Sequence, residues 1–245
     1  MALHPTDLDE SSPNAGASAG SGGAVSCEKC EKMEFSGNTV FRSNIAQVNG
    51  GAVKVESPKK TVSSKGSSFV NNTARKENGG AVHSYHGDFT SVGDRIEFNI
   101  AQAGSGGAFA MFRSQITLGA STTCHGNLAP NGGGGCIVWE PQAVSLDDDK
   151  WLSFAPLIGN SKLVTNNHAL YGSDSATPGA SLRIVDTNPM TTGDDNILTP
   201  RYPTVELLDF YKSVVRGTFA ASVEVAAILH ASDAQLFGAT VTKLN

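Results

Sequence analysis

At 245 residues the chain is long enough for one large or two modest domains around a sizeable core. Its 27 glycines and hydrophobic share of 39% exclude a helical bundle, because glycine is penalised inside helices and required where the backbone turns to positive φ. The formal charge of -5, from 18 basic and 23 acidic residues spread through the chain, leaves no electropositive stripe for nucleic acid, and no apolar run approaches the roughly 18 residues of a transmembrane helix.

Residues 1–20 are rich in Ser, Gly, Ala and Asp and have neither a basic n-region nor an apolar h-region, so they read as a flexible tail and not as a secretory signal. From residue 21 a repeat begins. Gly-Gly pairs stand at Gly22-Gly23, Gly50-Gly51, Gly79-Gly80, Gly106-Gly107 and Gly134-Gly135, with first members 28, 29, 27 and 28 residues apart. A small residue follows each pair: Ala24, Ala52, Ala81, Ala108 and Cys136. A second column keeps the same rhythm through Asn44, Asn72, Asn99, Asn127 and, after an interruption, Asn167, each with an alanine two residues on. Three residues before each asparagine stand Phe41, Phe69, Ile96, Cys124 and Val164.

Two columns sharing one period of 20 to 50 residues mark a stacked repeat. The units are too glycine-rich for paired helices, and their β-branched and aromatic runs, such as Ala52–Val55 and Ile137–Trp139, are strand-length. Residues 21–187 are therefore read as an all-β, right-handed parallel β-helix of about five to six coils, each of about three strands. Phe41, Phe69, Ile96, Cys124 and Val164 then form one apolar stack in the core. The asparagines form an internal amide ladder, since a buried amide needs partners and its copies in adjacent coils supply them. The Gly-Gly pairs supply bends and close approach that a Cβ would obstruct.

From Asn127 to Asn167 is 40 residues, so about 12 beyond the period are assigned to a loop thrown out over 140–157, with Asp147–Asp149 and Lys150 at its centre. Tyr171-Gly172 falls short of the place where the next Gly-Gly pair is due. Residues 188–203, rich in Asn, Pro, Thr, Gly and Asp, read as a linker. Beyond it, 204–245 carries three β-like runs, read as the first strands of an incomplete sandwich, with a helix over Ala220–His230 as the alternative for the middle run.

The combination Phe69-x-x-Asn72-x-Ala74 followed by Gly79-Gly80-Ala81-Val82, repeated as Phe41-x-x-Asn44 with Gly50-Gly51-Ala52-Val53, resembles the paired FxxN and GGA(I/L/V) motifs of the chlamydial polymorphic outer membrane protein repeats, found also in large algal and protist proteins. The later units depart from it, with Ile96 and Cys124 in place of Phe and Cys136 in place of Ala. The resemblance spans residues 22 to 185. It implies a pectin-lyase-like β-helix and an adhesive or structural role at the cell surface, in the outer membrane or as a secreted protein. The tail from Pro203 resembles the Ig-like domains that follow such repeats in protist proteins. The family's secretion signal and membrane barrel are not present in this chain.

Little catalytic chemistry stands out. Cys27-x-x-Cys30 has redox or zinc half-site spacing without a second half. Cys124 and Cys136 read first as small core side chains, with a local Cys124–Cys136 disulfide and metal binding as alternatives. Asp88, Asp94 with Arg95, and Asp147–Asp149 with Lys150 are the carboxylates nearest to a polysaccharide-cleaving arrangement, but they do not share a column. His83, Tyr85 and His86 read as surface strand residues. Asn71-Asn72-Thr73 is an N-glycosylation sequon, and with Asn72 inward, Asn71 is expected to point out. The expectation is thus a non-enzymatic surface module without a cofactor, engaging a surface protein or glycan. A polysaccharide lyase or glycoside hydrolase of the same fold, or a fragment without independent function, are the alternatives.

Overall fold

The computed structural model describes residues 20–141, 154–185 and 205–216, together with the backbone of 223–226 and 241–244. Four parallel sheets enclose a single core, one of six strands and three of five, and every neighbour within a sheet is the strand one repeat away. The fold is an all-β parallel solenoid; among the described residues the helical content is a single 3-10 turn, Ser161–Leu163.

Each coil has four strands, not the three that its length suggests. In the second coil they are Val53–Glu56, Val62–Lys65, Ser68–Val70 and Thr73–Ala74. The extra corner comes from a residue in the left-handed region just before each ladder asparagine. Asn71, Phe98 and Asn166 have φ of 56°, 56° and 54°, and Gly126 has 64°. That single residue bends the chain enough to make Asn-x-Ala a separate two-residue strand in the fourth sheet.

Inside, the repeat columns become stacks. Phe41 pairs with Phe69, Phe69 with Ile96, Ile96 with Cys124 and Cys124 with Val164 in one register, all buried. The Phe41 and Phe69 rings lie 4.8 Å apart and 15° from parallel. From the first sheet, Val53, Val82, Phe109 and Ile137 form the facing column, and from the second sheet Val62, Phe89 and Ile116 close the core.

The asparagine ladder is continuous. The side-chain Nδ2 of Asn44 donates to Oδ1 of Asn72 at 2.9 Å, Asn72 to Asn99 at 2.9 Å, Asn99 to Asn127 at 2.9 Å and Asn127 to Asn167 at 3.0 Å. Each of these acceptors also takes the backbone N–H of the preceding asparagine. The second Nδ2 hydrogen of Asn72, Asn99, Asn127 and Asn167 goes to the carbonyl of Phe41, Phe69, Ile96 and Cys124. Asp174 closes the series by accepting from Asn167 at 2.9 Å.

The two glycines of a pair do different work. The first takes positive φ, 63° at Gly50, 72° at Gly79, 70° at Gly106 and 71° at Gly134. The second is needed for contact between coils: a Cβ on Gly51 would sit 2.0 Å from the carbonyl oxygen of Gly80, and one on Gly107 would sit 2.2 Å from that of Gly135. Gly172 belongs to the first column after all, with φ 57° and backbone hydrogen bonds from Gly134 N to both Tyr171 O and Gly172 O. The shorter chain before it is absorbed by a register shift between Ala129 and Gly133.

The expected loop over 140–157 is narrower at both ends. Glu140 is paired to Phe112 within the first sheet, and Leu157–Ile158 extends the second sheet beside Thr117 and Leu118. Asp147–Asp149, Lys150 and the rest of 142–153 lie outside the described residues, as do the tail 1–19, the whole 188–203 linker and about half of the segment after it.

Val205–Leu208 is not detached from the solenoid. It pairs antiparallel with Ser181–Ile184, and Leu207, Leu208 and Val215 carry the chain back over Tyr171 and Ala176. Phe210 then packs edge-on against Trp139 at 5.5 Å, and the Trp139 indole N–H donates to the Tyr211 hydroxyl at 3.1 Å. With Phe154 and Ala155, this covers the far end of the core. Val223–Ala226 is a strand, not a helix, and pairs antiparallel with Val241–Leu244.

Candidate functional site

All four cysteines are in disulfides, Cys27–Cys30 and Cys124–Cys136. The reading of Cys124 and Cys136 as separate small core side chains is therefore corrected to a bridge, with Cα atoms 6.3 Å apart. Its place in the repeat explains it. Cys124 stands in the column of Phe69, and Cys136 in that of Ala81, so two bonded sulfurs fill the volume that a phenyl ring facing a methyl fills two coils earlier. Oxidised cysteines are not thiolate ligands, and the described residues contain no group of three or more His, Cys, Asp or Glu placed to hold a metal ion.

The carboxylates part company. Asp94 is buried, with Oδ1 accepting the Ser67 backbone N–H at 2.7 Å and Oδ2 the Ser91 hydroxyl at 2.6 Å. Burial raises its pKa above the usual carboxylate value, against the pull of those hydrogen bonds. It staples two coils and is not available to a substrate. Arg95 turns away from it to Glu97, 2.6 Å away, which holds the Glu97 carboxyl below its ordinary pKa. Asp88 is exposed and accepts the Gln115 backbone N–H at 2.8 Å.

His83 is not a surface residue. Its side chain is buried beside Phe112, ring centroids 5.5 Å apart, and its Nδ1 has no partner. Burial first, then the Lys54 ammonium, lowers its pKa to about 4, with Glu56 opposing. The folded protein thus holds a neutral imidazole where the unfolded chain, with an ordinary histidine near 6.5, takes up a proton. Its contribution to stability is complete above about pH 6.5 and is lost as pH falls toward 4, a loss of about 3 kcal/mol. A His83→Gln variant should therefore show a smaller difference in urea midpoint between pH 7 and pH 4.5 than the parent. Equal differences would show that His83 is accessible and titrates normally.

Asn71 is exposed, as the sequon requires, and the Phe98 ring, 46% exposed, occupies the equivalent corner of the next coil.

The remaining constellation lies at the corner after the first sheet, where Lys29, Ser57, His86 and Arg113 all have left-handed φ, between 47° and 55°. The left-handed turn throws these side chains off the edge of the solenoid. Arg113 lies with its guanidinium carbon 5.4 Å from the centre of the Tyr85 ring, a cation–π distance, and its Nη1 is 3.3 Å from His86 Nε2. Where the guanidinium donates, Nε2 accepts, which places the proton of a neutral His86 on Nδ1. Beside them is a cleft of about 350 Å³ lined by Lys59, Lys60, His86, Asp88 and Arg113. Its floor depends on Gly87, where a Cβ would lie 2.6 Å from the Pro58 ring. Lys59 is paired to Glu31 at 2.7 Å. Among the described residues neither Arg113 nor Lys60 forms an ion pair, in contrast to Lys54–Glu56 and Lys32–Glu34, although the Arg113 charge reaches Glu140 and opposes the rise that burial causes in its pKa.

Lys60 and Arg113 do not emerge from the sequence reading, although a signal for the second exists. Lys29, Ser57, His86 and Arg113 are spaced 28, 29 and 27 residues apart, the same intervals as the first four Gly-Gly pairs. A column of mixed residue types carries that period as faithfully as a column of glycines and is harder to see. Compared with protein-family models, curated proteins and solved structures, the chain finds no match in any of the three, so the likeness to polymorphic outer membrane protein repeats rests on the paired motifs alone.

Proposed function

We propose that this chain is a non-enzymatic β-solenoid module of a cell-surface or secreted protein, with an adhesive or structural role toward a protein or glycan partner. The observation that carries the reading is the use made of the buried polar groups: the side chains of Asn72, Asn99 and Asn127 and the Oδ1 of Asp94 spend hydrogen bonds on joining one coil to the next. Such a stack is a rigid spacer, and its variable side chains face outward at corners and strand faces. A surface or secreted location draws support from the two disulfides, which persist in oxidising surroundings. It draws further support from the paired Phe-x-x-Asn and Gly-Gly-Ala motifs.

A polysaccharide lyase or glycoside hydrolase of this fold is the competing reading, and the placing of Asp88 in one cleft with His86 and Arg113 favours it. One experiment separates the two. The full chain is incubated with acidic and neutral polysaccharides while bound material and newly released chain ends are both measured. Binding without release is the expected result; release that disappears in Asp88→Asn would overturn the non-enzymatic reading.

A further inference from the structure

We propose that the corner cleft between Lys60 and Arg113 is a binding site for the oxyanion substituents, carboxylate or sulfate, of an acidic glycan chain. The inference rests on the surface-module reading for the nature of the partner and on the cleft itself for the chemistry. Four observations carry it.

The first is unspent charge. Arg113 has five N–H donors, of which one faces His86, and its guanidinium carbon lies 5.4 Å from the centre of the Tyr85 ring. The remaining donors are pre-positioned, so little side-chain entropy is lost when an oxyanion takes them. Lys60 supplies a second cation without a partner, whereas Lys59 is already neutralised by Glu31.

The second is reach. The lining comes from three successive coils, Lys60 from one, His86 from the next and Arg113 from the third, and adjacent coils are about 4.8 Å apart. The two unpaired cations are thus separated along the solenoid axis by about two such steps. This suits an extended polymer that repeats its charge from sugar to sugar better than a single small anion.

The third is the mixed character of the wall. Asp88 stands among the cations, and Thr61 lines the cleft with them. A carboxylate accepts from sugar hydroxyls and the threonine hydroxyl donates or accepts, so the wall offers partners to the neutral parts of the glycan as well as to its charge.

The fourth is the surrounding field. The whole chain carries a formal charge of -5, which repels polyanions in general. Retention of one therefore requires a local site and not a diffuse basic surface.

The test uses the full chain and four probes: an oligouronate, a sulfated oligosaccharide, a neutral glucan of equal length, and a short DNA duplex. Binding is measured by calorimetry for the parent, for the double variant Lys60→Gln/Arg113→Gln, for Arg113→Lys, and for Lys162→Gln on a distant surface. At least one of the two acidic oligosaccharides should bind, and which one it is assigns the oxyanion. The double variant should weaken that binding tenfold or more, Arg113→Lys by less, and Lys162→Gln should leave it unchanged, with the melting temperature of all variants equal to that of the parent. Binding of the double variant with parental affinity would overturn the site, as would failure of both acidic oligosaccharides to bind. DNA binding as tight as that of the glycans would overturn the assignment to glycan. Chain cleavage would overturn the non-enzymatic reading alone, because the loss of affinity at Lys60 and Arg113 is measured independently of turnover.

Discussion

Gly80→Ala is expected to cost more than about 4 kcal/mol of stability, a loss reserved for changes the structure cannot relax around. A Cβ at this position would lie 2.1 Å from the carbonyl oxygen of Gly107, 2.5 Å from the backbone nitrogen of Ile100 and 2.6 Å from its carbonyl carbon. All three belong to the next coil and all are backbone, so no side chain can rotate out of the way. Relief requires the coils to part. That stretches the interstrand bonds on either side, Gly80 N to Gly106 O at 3.1 Å and Ala81 N to Ala108 O at 2.9 Å. Gly66→Ala is the matched control. Unlike Gly80 it has positive φ, 65°, with open space where the Cβ would go, so it should cost only the left-handed penalty of about 1 to 2 kcal/mol. Urea unfolding of both variants checks the difference. Equal midpoints would mean that the coils do not approach as closely as described.

The repeat made most of this fold legible before any coordinate was known. A periodic column fixes which residues stack on which, so Phe41 over Phe69 and Asn72 over Asn99 follow from counting. The strand number did not follow, because the fourth corner depends on φ at Asn71 and Phe98, residues whose types have little in common. The Cys124–Cys136 bridge was only one of three open readings, since apolar packing and disulfide formation make the same demand on a buried column. His83 was misplaced to the surface because strand alternation puts it on the outer face, and alternation says nothing about what covers that face. The cleft was hidden for a different reason. Its parts belong to three coils and to the left-handed corner, where the direction of a side chain depends on a backbone torsion that the sequence does not display.

A second ladder was also illegible. Just before each Gly-Gly pair, Asn78 N donates to Asn49 Oδ1 at 2.9 Å, Ser105 N to Asn78 Oδ1 at 2.8 Å and Gly133 N to Ser105 Oγ at 3.0 Å. Here each side chain accepts from the coil that follows it, whereas in the main ladder each Oδ1 accepts from the coil before. The sequence column of Ser21, Asn49, Asn78 and Ser105 preserves a side-chain acceptor but not a residue type, and it ends at Gly133, so counting identical residues passes over it.

The main ladder tolerates less variety, and its inner rungs should be the most sensitive polar positions in the chain. Asn99 is fully buried and makes four hydrogen bonds through its side chain. Asn99→Ala would leave the Asn72 backbone N–H and one Asn72 Nδ2 hydrogen without partners in a dry interior and would take one donor from the Phe69 carbonyl. At about 1 to 3 kcal/mol for each orphaned group, less whatever water can reach, the expected loss is on the order of 4 kcal/mol. Asn99→Asp should be at least as damaging at neutral pH, for a different reason. The carboxylate keeps both bonds from Asn72 but turns a negative oxygen toward the Phe69 carbonyl and Asn127 Oδ1, with no donor for either. Acid should partly rescue it, since a protonated carboxyl regains one donor. A carboxylate is accepted only at the end of the series, where Asp174 receives from Asn167 and has no further rung to supply. Chemical unfolding of Asn99→Ala and Asn99→Asp at pH 7 and pH 4.5 tests this: Asn99→Asp should gain on Asn99→Ala as the pH falls. An unchanged gap between the two would mean that the direction of the amides does not matter and that the column contributes only by packing.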